Sequence, residues 1–487
     1  MKKKLFIIGG GMGGISAGLY LSKSDFEIHI FESNSTLGGR ANLINLDGFI
    51  FDTGPSLLNY PWVFEDLFNF VGSSMKSELK LQKIDPAIKY YWPDGETFQL
   101  SSDLSKLSQE CMRLDPRDGI GLLNFLADAR KKYRISFENL VTQNTQSPLK
   151  WFLSAGIQNI FKLGLFRSME SQLKLHFKNK KIIEAFGSYG MYLGGAPHDL
   201  PGIFSILPFG ELEYGLWLPK GGMYKLIESL EKLLLKQGII IHKNTKVKNI
   251  IREENYVKGI TVNNDEQLYC DTIISNVDLP TTMDKLIKDK KFKSPKMTPG
   301  VMTYYLGINK KLNNLQHHSV FFPHNTKLGY EEIMKNNNIP EDLPFYISVA
   351  SNNDESLAPK NKSGVFILIP VPLKNDEFSW EEVSEKLLNK VLLRLKQHEI
   401  NINTKDIIKK EIITPKKWKD LFGLNQGSAF GASHNLFQVG PFRNSNRSKK
   451  YRNLFFVGAS TTPGTGLPMC VLSGKMVSER VLKNNEK

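Results

Sequence analysis

Two glycine-rich stretches, near opposite ends of the chain, carry residue types and spacings that could do chemistry. The first, "FIIGGGMGGISAG", sets Gly9, Gly11 and Gly14 in a G-x-G-x-x-G spacing with Gly13 inside it. The first glycine permits a tight turn, the second lets the backbone approach a pyrophosphate, and the third lets a helix pack closely on a strand. The start of such a helix offers free N–H groups and a partial positive charge to phosphates. An acid belongs roughly 20 residues on, where it meets a ribose hydroxyl. Glu32, 18 positions after Gly14 (32 − 14), ends "EIHIFE" at that place. An acid there argues against a ribose 2′-phosphate, which calls for arginine. "LGGR" follows with Gly38, Gly39 and Arg40, then "DGFIFDTGPS". A second glycine pair after the ribose acid suits FAD, a long cofactor that runs on past its pyrophosphate. Arg40 would lie near phosphate or flavin; the alternative is a surface arginine in a turn.

These residues need a frame. Leu5–Ile8 is a short apolar run suited to a buried parallel strand, and "EIHIFE" is a second strand, so the first stretch reads strand, turn, helix, strand. Further along, Met223, Leu226, Ile227, Leu230, Leu233 and Leu234 follow helical spacing, Gly238 ends that helix and "IIIH" is a strand. "KVKNIIREENYVKGITVNNDEQLYCDTIISN" reads as a small β-meander returning to the sheet.

Composition limits the classes. Of 487 residues, 41% are hydrophobic and 23% charged, ordinary for a globular chain with a sizeable core. The net charge of +15 permits nucleic acid, anionic lipid or no partner, and the lysines are spread rather than gathered in one tail. The densest patch, "KLIKDKKFKSPK", reads as a solvated loop. Cys111, Cys270 and Cys470 stand too far apart for a disulfide framework or a metal spacing. The apolar run after "MKKK" is too short for a signal peptide, and no run reaches the ~18 residues of a spanning helix. The expectation is a cytoplasmic protein that can sit on a membrane.

The second glycine-rich stretch narrows the reading. "NLFFVGASTTPGTGLPMCVLS" resembles the signature of bacterial-type phytoene desaturases at Asn453, Phe455, Gly458, Ala459, Ser460, Pro463, Gly464, Gly466 and Ser473. "GLWLPKGGMYKLIESLEKLL", "HHSVFF", "SLAPKNKSGVFILIPVP" and "GSAFG" follow the order of that carotenoid desaturase family, itself part of an amine oxidase-like superfamily. The resemblance covers essentially the whole chain. It implies an α/β fold: a Rossmann-like FAD-binding domain from residues 1–75, 220–290 and 430–487, and a discontinuous α+β domain from 76–219 and 291–429 that binds substrate and associates with membranes.

It also implies that Leu454–Val457 is a strand of the sheet holding the first glycine turn. The loop from Gly458 to Gly466 then bends over the flavin, with Thr465 and Gly466 facing it. Pro468 suits the first turn of a following helix, with Val471, Leu472, Met476 and Val477 on its buried stripe. The start of that helix, at Leu467 and Pro468, would stabilise negative charge on reduced flavin. In similar flavoproteins the residue at Val247 holds the adenine through its backbone; plain core packing is the alternative here.

The implied function is FAD-dependent desaturation of a hydrophobic carotenoid precursor in carotenoid biosynthesis. Hydride leaves to flavin, the allylic cation is spread over neighbouring double bonds, and a base takes a proton. No metal cluster or Ser/His/Asp set is needed, and the residues single out no catalytic base. His317 and His318, adjacent on an expected strand, should point to opposite faces and be structural. Asp128, Arg130 and Arg134 in "LADARKKYR" could serve a tunnel but read first as solvated helix charges. The stretch 149–186 mixes Trp151, Phe152, Ile157, Ile160, Phe161, Leu165 and Phe166 with lysines and arginines, which suits a peripheral membrane contact or equally an amphipathic core helix; the oily substrate favours the membrane. Two features pull toward a carotenoid terminal oxidase or ketolase: Thr462 stands where many desaturases carry His, and "GLPM" resembles a run in the oxidases. A non-catalytic basic lipid- or nucleic-acid-binding protein is the reading from another class, disfavoured by both glycine motifs; no nucleic-acid partner is expected.

Overall fold

A parallel sheet of five strands carries the first glycine turn. Its strands are β1 (Lys4–Ile8), β2 (Glu27–Phe31), β3 (Ile240–His242), β4 (Thr272–Ser275) and β5 (Leu454–Phe456), in the spatial order β5-β4-β1-β2-β3. This computed structural model describes residues 2–485 apart from 145–146, 157–158, 160–161, 264 and 374–377, and of Glu138, Phe152 and Ala155 the backbone alone. β1 is apolar and buried on both faces except at Lys4, as a central parallel strand must be. Ile7 pairs with Ile274 of β4 on one side and with Ile30 of β2 on the other. The chain leaves β1 toward β2 and only later fills the other flank with β4 and β5. Strand order therefore reverses at β1, and the crevice beyond its carboxyl end is where α/β sheets take ligands.

Of the helices α1 (Met12–Leu21), α2 (Pro61–Phe70), α3 (Pro148–Ala155), α4 (Ile206–Tyr214), α5 (Tyr224–Lys236) and α6 (Leu467–Asn485), α1, α3, α4 and α6 border that crevice, and α2 and α5 pack on α1. α1 and α6 touch through small residues. A Cβ on Gly474 would lie 2.6 Å from the Ser16 Cβ and 2.9 Å from the Ala17 nitrogen. The Ser478 hydroxyl donates to the Ala17 carbonyl at 3.2 Å. Met223, Leu226, Ile227, Leu230, Leu233 and Leu234 are buried, as their helical spacing predicts. So are Val471, Leu472, Met476 and Val477 of α6. The expected meander is Val247–Glu253, Tyr256–Val262 and Glu266–Tyr269, all antiparallel, and the chain then re-enters the parallel sheet as β4.

A separate seven-stranded sheet takes residues 88–91 and 97–100 together with five strands between 300 and 413. Its central pair, Gly300–Ile308 and Ser363–Val371, is antiparallel and almost wholly buried, which explains the apolar run in "SGVFILIPV".

The stretch 149–186 differs from a continuous interfacial helix. α3 stops at Gly156, whose φ is +76°, and Gly164 at +73° breaks the chain again before short helices at Met169–Leu173 and Lys180–Gly187. Trp151 faces inward, 8% exposed, packed on Gly440, and is not a membrane anchor. Ile157, Ile160, Phe161 and the Phe152 side chain lie outside the described residues. His317 and His318 do not point to opposite faces. His317 precedes the strand, so the rings come together, with centroids 4.2 Å apart, and both are buried.

Candidate active site

One cavity of ≈ 1230 Å³ joins the two glycine-rich stretches. Gly9, Gly11, Gly13, Gly38 and Gly39 line it from the N-terminal side; Gly458, Thr465, Gly466, Leu467 and Pro468 line it from the C-terminal side. Glu32, Arg40 and Val247 complete the expected set on the same wall. Gly14 alone stands off it. A Cβ there would lie 2.2 Å from the Gly9 carbonyl oxygen, so Gly14 serves packing rather than a ligand.

The glycines form a cradle that side chains would fill. Gly9, Gly38, Gly39, Gly458 and Gly466 all have φ between +57° and +111°, the region where a Cβ is strained. A Cβ on Gly11 would lie 2.8 Å from the Asn276 Nδ2, and one on Gly13 would lie 2.7 Å from its Oδ1. Asn276 follows β4 directly and donates through Nδ2 to the Gly9 carbonyl at 3.2 Å. It is thus the polar centre of the cradle, and sequence reasoning missed it; its only signal is its place just after an apolar strand.

Glu32 is buried but not spent. Its Oε1 accepts from the Asn34 N–H at 2.9 Å and the Asn34 Nδ2 at 3.0 Å; its Oε2 accepts only the Gly10 N–H, at 2.8 Å. A carboxylate oxygen has two lone pairs, so Oε2 can take one further donor such as a hydroxyl. Arg40 is no free turn residue: its Nη1 donates to the Ala429 carbonyl at 2.5 Å.

The C-terminal loop is held by residues the sequence did not flag. Arg443, 5% exposed, donates to the carbonyls of Thr461 (2.8 Å), Ala432 (3.0 Å), Ser433 (3.1 Å), Gln438 (3.2 Å) and Ala459. Asn446 donates to the carbonyls of Phe456 and Thr462 at 3.0 and 3.1 Å. Burial, with Arg443 beside it, holds the His434 imidazole well below its usual range, hence neutral. Its Nδ1 then donates to the Leu193 carbonyl, leaving Nε2 to accept the Thr465 N–H at 3.4 Å. The Thr465 hydroxyl donates to the Phe430 carbonyl at 2.5 Å.

Away from the glycines the wall turns apolar, with Phe137, Leu140, Leu163, Ile203, Phe204 and Leu207. One carboxyl interrupts it. Glu211 of α4 is 6% exposed; it accepts from the Tyr189 hydroxyl and, at 3.4 Å, from the Asn59 Nδ2. Burial raises its pKa to about 7. The polar groups suggested earlier lie elsewhere. Asp128 accepts from Lys132 (2.6 Å), Gln172 (3.1 Å) and His176 (3.2 Å), off the cavity wall. Arg130 and Arg134 are exposed.

Comparison with known proteins places this site in a class. The family model for flavin-containing amine oxidoreductases matches residues 12–482. A zeta-carotene-forming phytoene desaturase from Myxococcus xanthus is 33% identical, covering 99% of this chain and 94% of its own. A 4,4'-diaponeurosporene oxygenase from Staphylococcus haemolyticus is 30% identical over 99% and 97%. Among solved structures, an oxidoreductase from Methanosarcina mazei superposes with a TM-score of 0.64 at 16% identity, over 98% of this chain and 100% of its own, a likeness of fold. The chain belongs to the flavin-containing amine oxidoreductases and, within them, to the carotenoid desaturase and oxygenase group. It is an FAD-dependent oxidoreductase.

The site fits that cofactor. Bare glycine backbone at Gly9, Gly11, Gly13, Gly38 and Gly39 lines the cavity, as the close approach of a pyrophosphate needs. Glu32 retains an acceptor. At Gly466 an added Cβ would meet only the Pro468 Cδ at 4.0 Å, so the loop presents bare backbone to open space. The cavity also exceeds the 300–1,000 Å³ usual for a single small ligand, leaving room for an apolar substrate beside the cofactor.

Proposed function

We propose that the chain introduces conjugated double bonds into a long polyene hydrocarbon, in the manner of a phytoene or dehydrosqualene desaturase. The observation that carries this reading is the continuity of one cavity from a glycine cradle into an apolar hall. A hydrocarbon without polar handles can be positioned only by shape, and such a hall excludes water while aligning the chain. Bound FAD supplies a two-electron acceptor for hydride.

In this reading Gly9, Gly11, Gly13, Gly38 and Gly39 hold the pyrophosphate region and Glu32 a ribose hydroxyl. Val247 holds the adenine side, and Arg40 lies toward the phosphates or flavin. Gly458, Gly466, Leu467 and Pro468 frame the flavin, with Thr465 and Gly466 toward the reacting carbons. Residues 1–75, 220–290 and 430–487 then act as the cofactor unit, and 76–219 with 291–429 as the substrate unit. The two sheets, one parallel beneath the cradle and one mixed and mostly antiparallel beyond it, support that division.

A membrane surface is the source of so apolar a substrate, and we place the contact around α3. Leu149 and Leu153 are 69% and 60% exposed, and Phe437 and Phe442 on the segment packed against α3 are 80% and 52% exposed. Trp151, Val439 and Gly440 in the same region line the cavity, so this patch borders an entrance. Among the described residues no helix is long and apolar enough to cross a membrane.

The test is expression in hosts that accumulate phytoene or dehydrosqualene, followed by pigment analysis. Longer conjugated hydrocarbons are expected; unchanged precursor would overturn the reading. The second reading, oxidation of a polyene end, draws on Thr462 and the run Gly466–Met469, both beside the cavity. In a host supplying a ready-made polyene it would yield aldehydes.

A further inference from the structure

We infer that Glu211 accepts the proton released from the substrate when a double bond forms; the inference rests on the desaturase reading above. Desaturation removes two hydrogens from adjacent carbons. One leaves with its electron pair to the two-electron acceptor. The other leaves as a proton to the Glu211 carboxylate, and the C–H electron pair left behind becomes the new π bond. The acceptor is reduced, the hydrocarbon is oxidised by two electrons, and Glu211 becomes the neutral acid.

Position is the first argument. Among the described residues Glu211 is the one carboxyl in the apolar part of the cavity wall, and a base must face the carbon it deprotonates. Tyr192, on the same wall, packs edge-on to Phe430 with centroids 5.7 Å apart, and the Phe430 carbonyl holds the Thr465 hydroxyl. The Tyr189 hydroxyl donates to Glu211, and Tyr189 caps the short helix Gly190–Leu193 that carries Tyr192. One turn of chain therefore connects the carboxyl to the residue that packs on Phe430.

Support is the second. The Tyr189 hydroxyl and the Asn59 amide hold the two carboxyl oxygens separately. The Tyr60 hydroxyl, buried and on the cavity wall beside Gly210, has no hydrogen-bond partner among the described residues. Backbone strain accompanies it: Tyr60 has φ +50°, a costly conformation for an aromatic residue that tends to persist where function needs it. A carboxyl buried for stability alone would have a cation or a full set of donors. Glu211 has neither. The groups facing it are Asn59 and Tyr60 before α2, Tyr90, Tyr189, Tyr192 and Tyr346; among the described residues no lysine, arginine or histidine acts on it.

Titration agrees with the geometry. Burial holds the carboxyl near neutrality, where a general base works best. The active form is the carboxylate, so turnover should rise with pH through a value near 7. The Tyr189 hydrogen bond lowers the pKa; removing it should move that limb to higher pH.

The test uses FAD-loaded full-length enzyme with phytoene in liposomes. Glu211→Gln should retain FAD and phytoene affinity while turnover falls roughly 10²- to 10⁴-fold, the usual worth of a positioned base, and the pH limb disappears. Glu211→Asp should recover part of the rate. A readout independent of turnover is the infrared carboxyl band, which should titrate near pH 7 in wild type and vanish in Glu211→Gln. Activity within threefold of wild type with the limb in place would overturn the inference. So would equal losses in the Gln and Asp variants accompanied by lost FAD. Should Glu211→Gln fail to fold, Tyr189→Phe decides: a limb moved to higher pH supports the role, and an unmoved one refutes it. An inactive wild type would sink the desaturase reading, whereas an active Gln variant beside an active wild type sinks this inference alone.

Discussion

Arg443→Lys tests how the C-terminal loop is held. The guanidinium donates to five carbonyl oxygens, two of them, Ala459 and Thr461, on the loop that borders the cavity. An ammonium has three N–H donors on one nitrogen. At least two carbonyls must therefore lose their partner in a site closed to water. Each unsatisfied buried group costs about 1–3 kcal/mol, so the substitution should destabilise by about 2–6 kcal/mol. Unfolding entropy near 2.1 cal/mol/K per residue, over the whole chain, makes about 1 kcal/mol/K. The melting midpoint should then fall by about 2–6 °C. The loop loses its anchor in the same step, so bound FAD should also fall. Differential scanning calorimetry and the flavin-to-protein absorbance ratio measure the two effects on one sample. A Lys variant that melts within 1 °C of wild type and keeps its flavin would refute the claim that this cation holds the loop.

Gly11→Val should abolish FAD binding in a folded chain, because its Cβ would press on the Asn276 Nδ2 at 2.8 Å where a pyrophosphate must approach; flavin absorbance and circular dichroism check both halves. Gly466→Leu strains a backbone at φ +102° but meets no neighbouring protein atom nearer than 4.0 Å from its Cβ; the loop should shift locally and give a yellow, flavin-loaded protein that makes little coloured polyene, since ~1 Å of misplacement can cost about a hundredfold. Gly474→Leu forces a side chain into Ser16 across the α1–α6 contact and should leave little soluble protein on expression. Binding to anionic liposomes should weaken as salt rises, since charges are screened over ~10 Å at 0.1 M; Leu149→Glu with Phe437→Glu should weaken it further at every salt concentration.

The cofactor end was legible in the sequence because its chemistry is local. Gly9, Gly11 and Gly13 serve one turn, and Glu32 lies a single strand away, so spacing alone can report them. Asn276 and His434 act across hundreds of residues, on Gly9 and Leu193. Asn276 reads as the end of "IISN", and only the assembled sheet brings it under the glycines. Arg443 acts within 18 residues of itself, but on carbonyls of irregular chain that has no period to report, so it reads as one more cation in a basic chain. Glu211 hides for another reason. In "FGELEYG" it looks like a solvent-facing helix charge, and burial of α4 against Tyr60 and Tyr189 is a tertiary fact. Trp151 shows the converse: it sits two positions from Leu149 and from Leu153, so it lies across α3 from both, and Gly440 admits its indole inward while the leucines stay exposed. Periodicity reports that a helix has two faces, not which one the protein covers.

The meeting of the chain's two ends has a consequence for biosynthesis. β1 is the first strand made and β5 the last, with the Lys3 ammonium hydrogen-bonded to the Asn485 side chain at 2.6 Å. Ribosomes add about 5–20 residues each second, so roughly 25–100 s separate the synthesis of the two halves of the site. Through that interval the cradle exists without its cover, and the apolar flank of α1 waits for a helix still unmade. A nascent chain therefore cannot capture its flavin in finished form until β5 and α6 have been made. A message cut before codon 448 would yield a polypeptide with nearly all its sheets and no working redox centre.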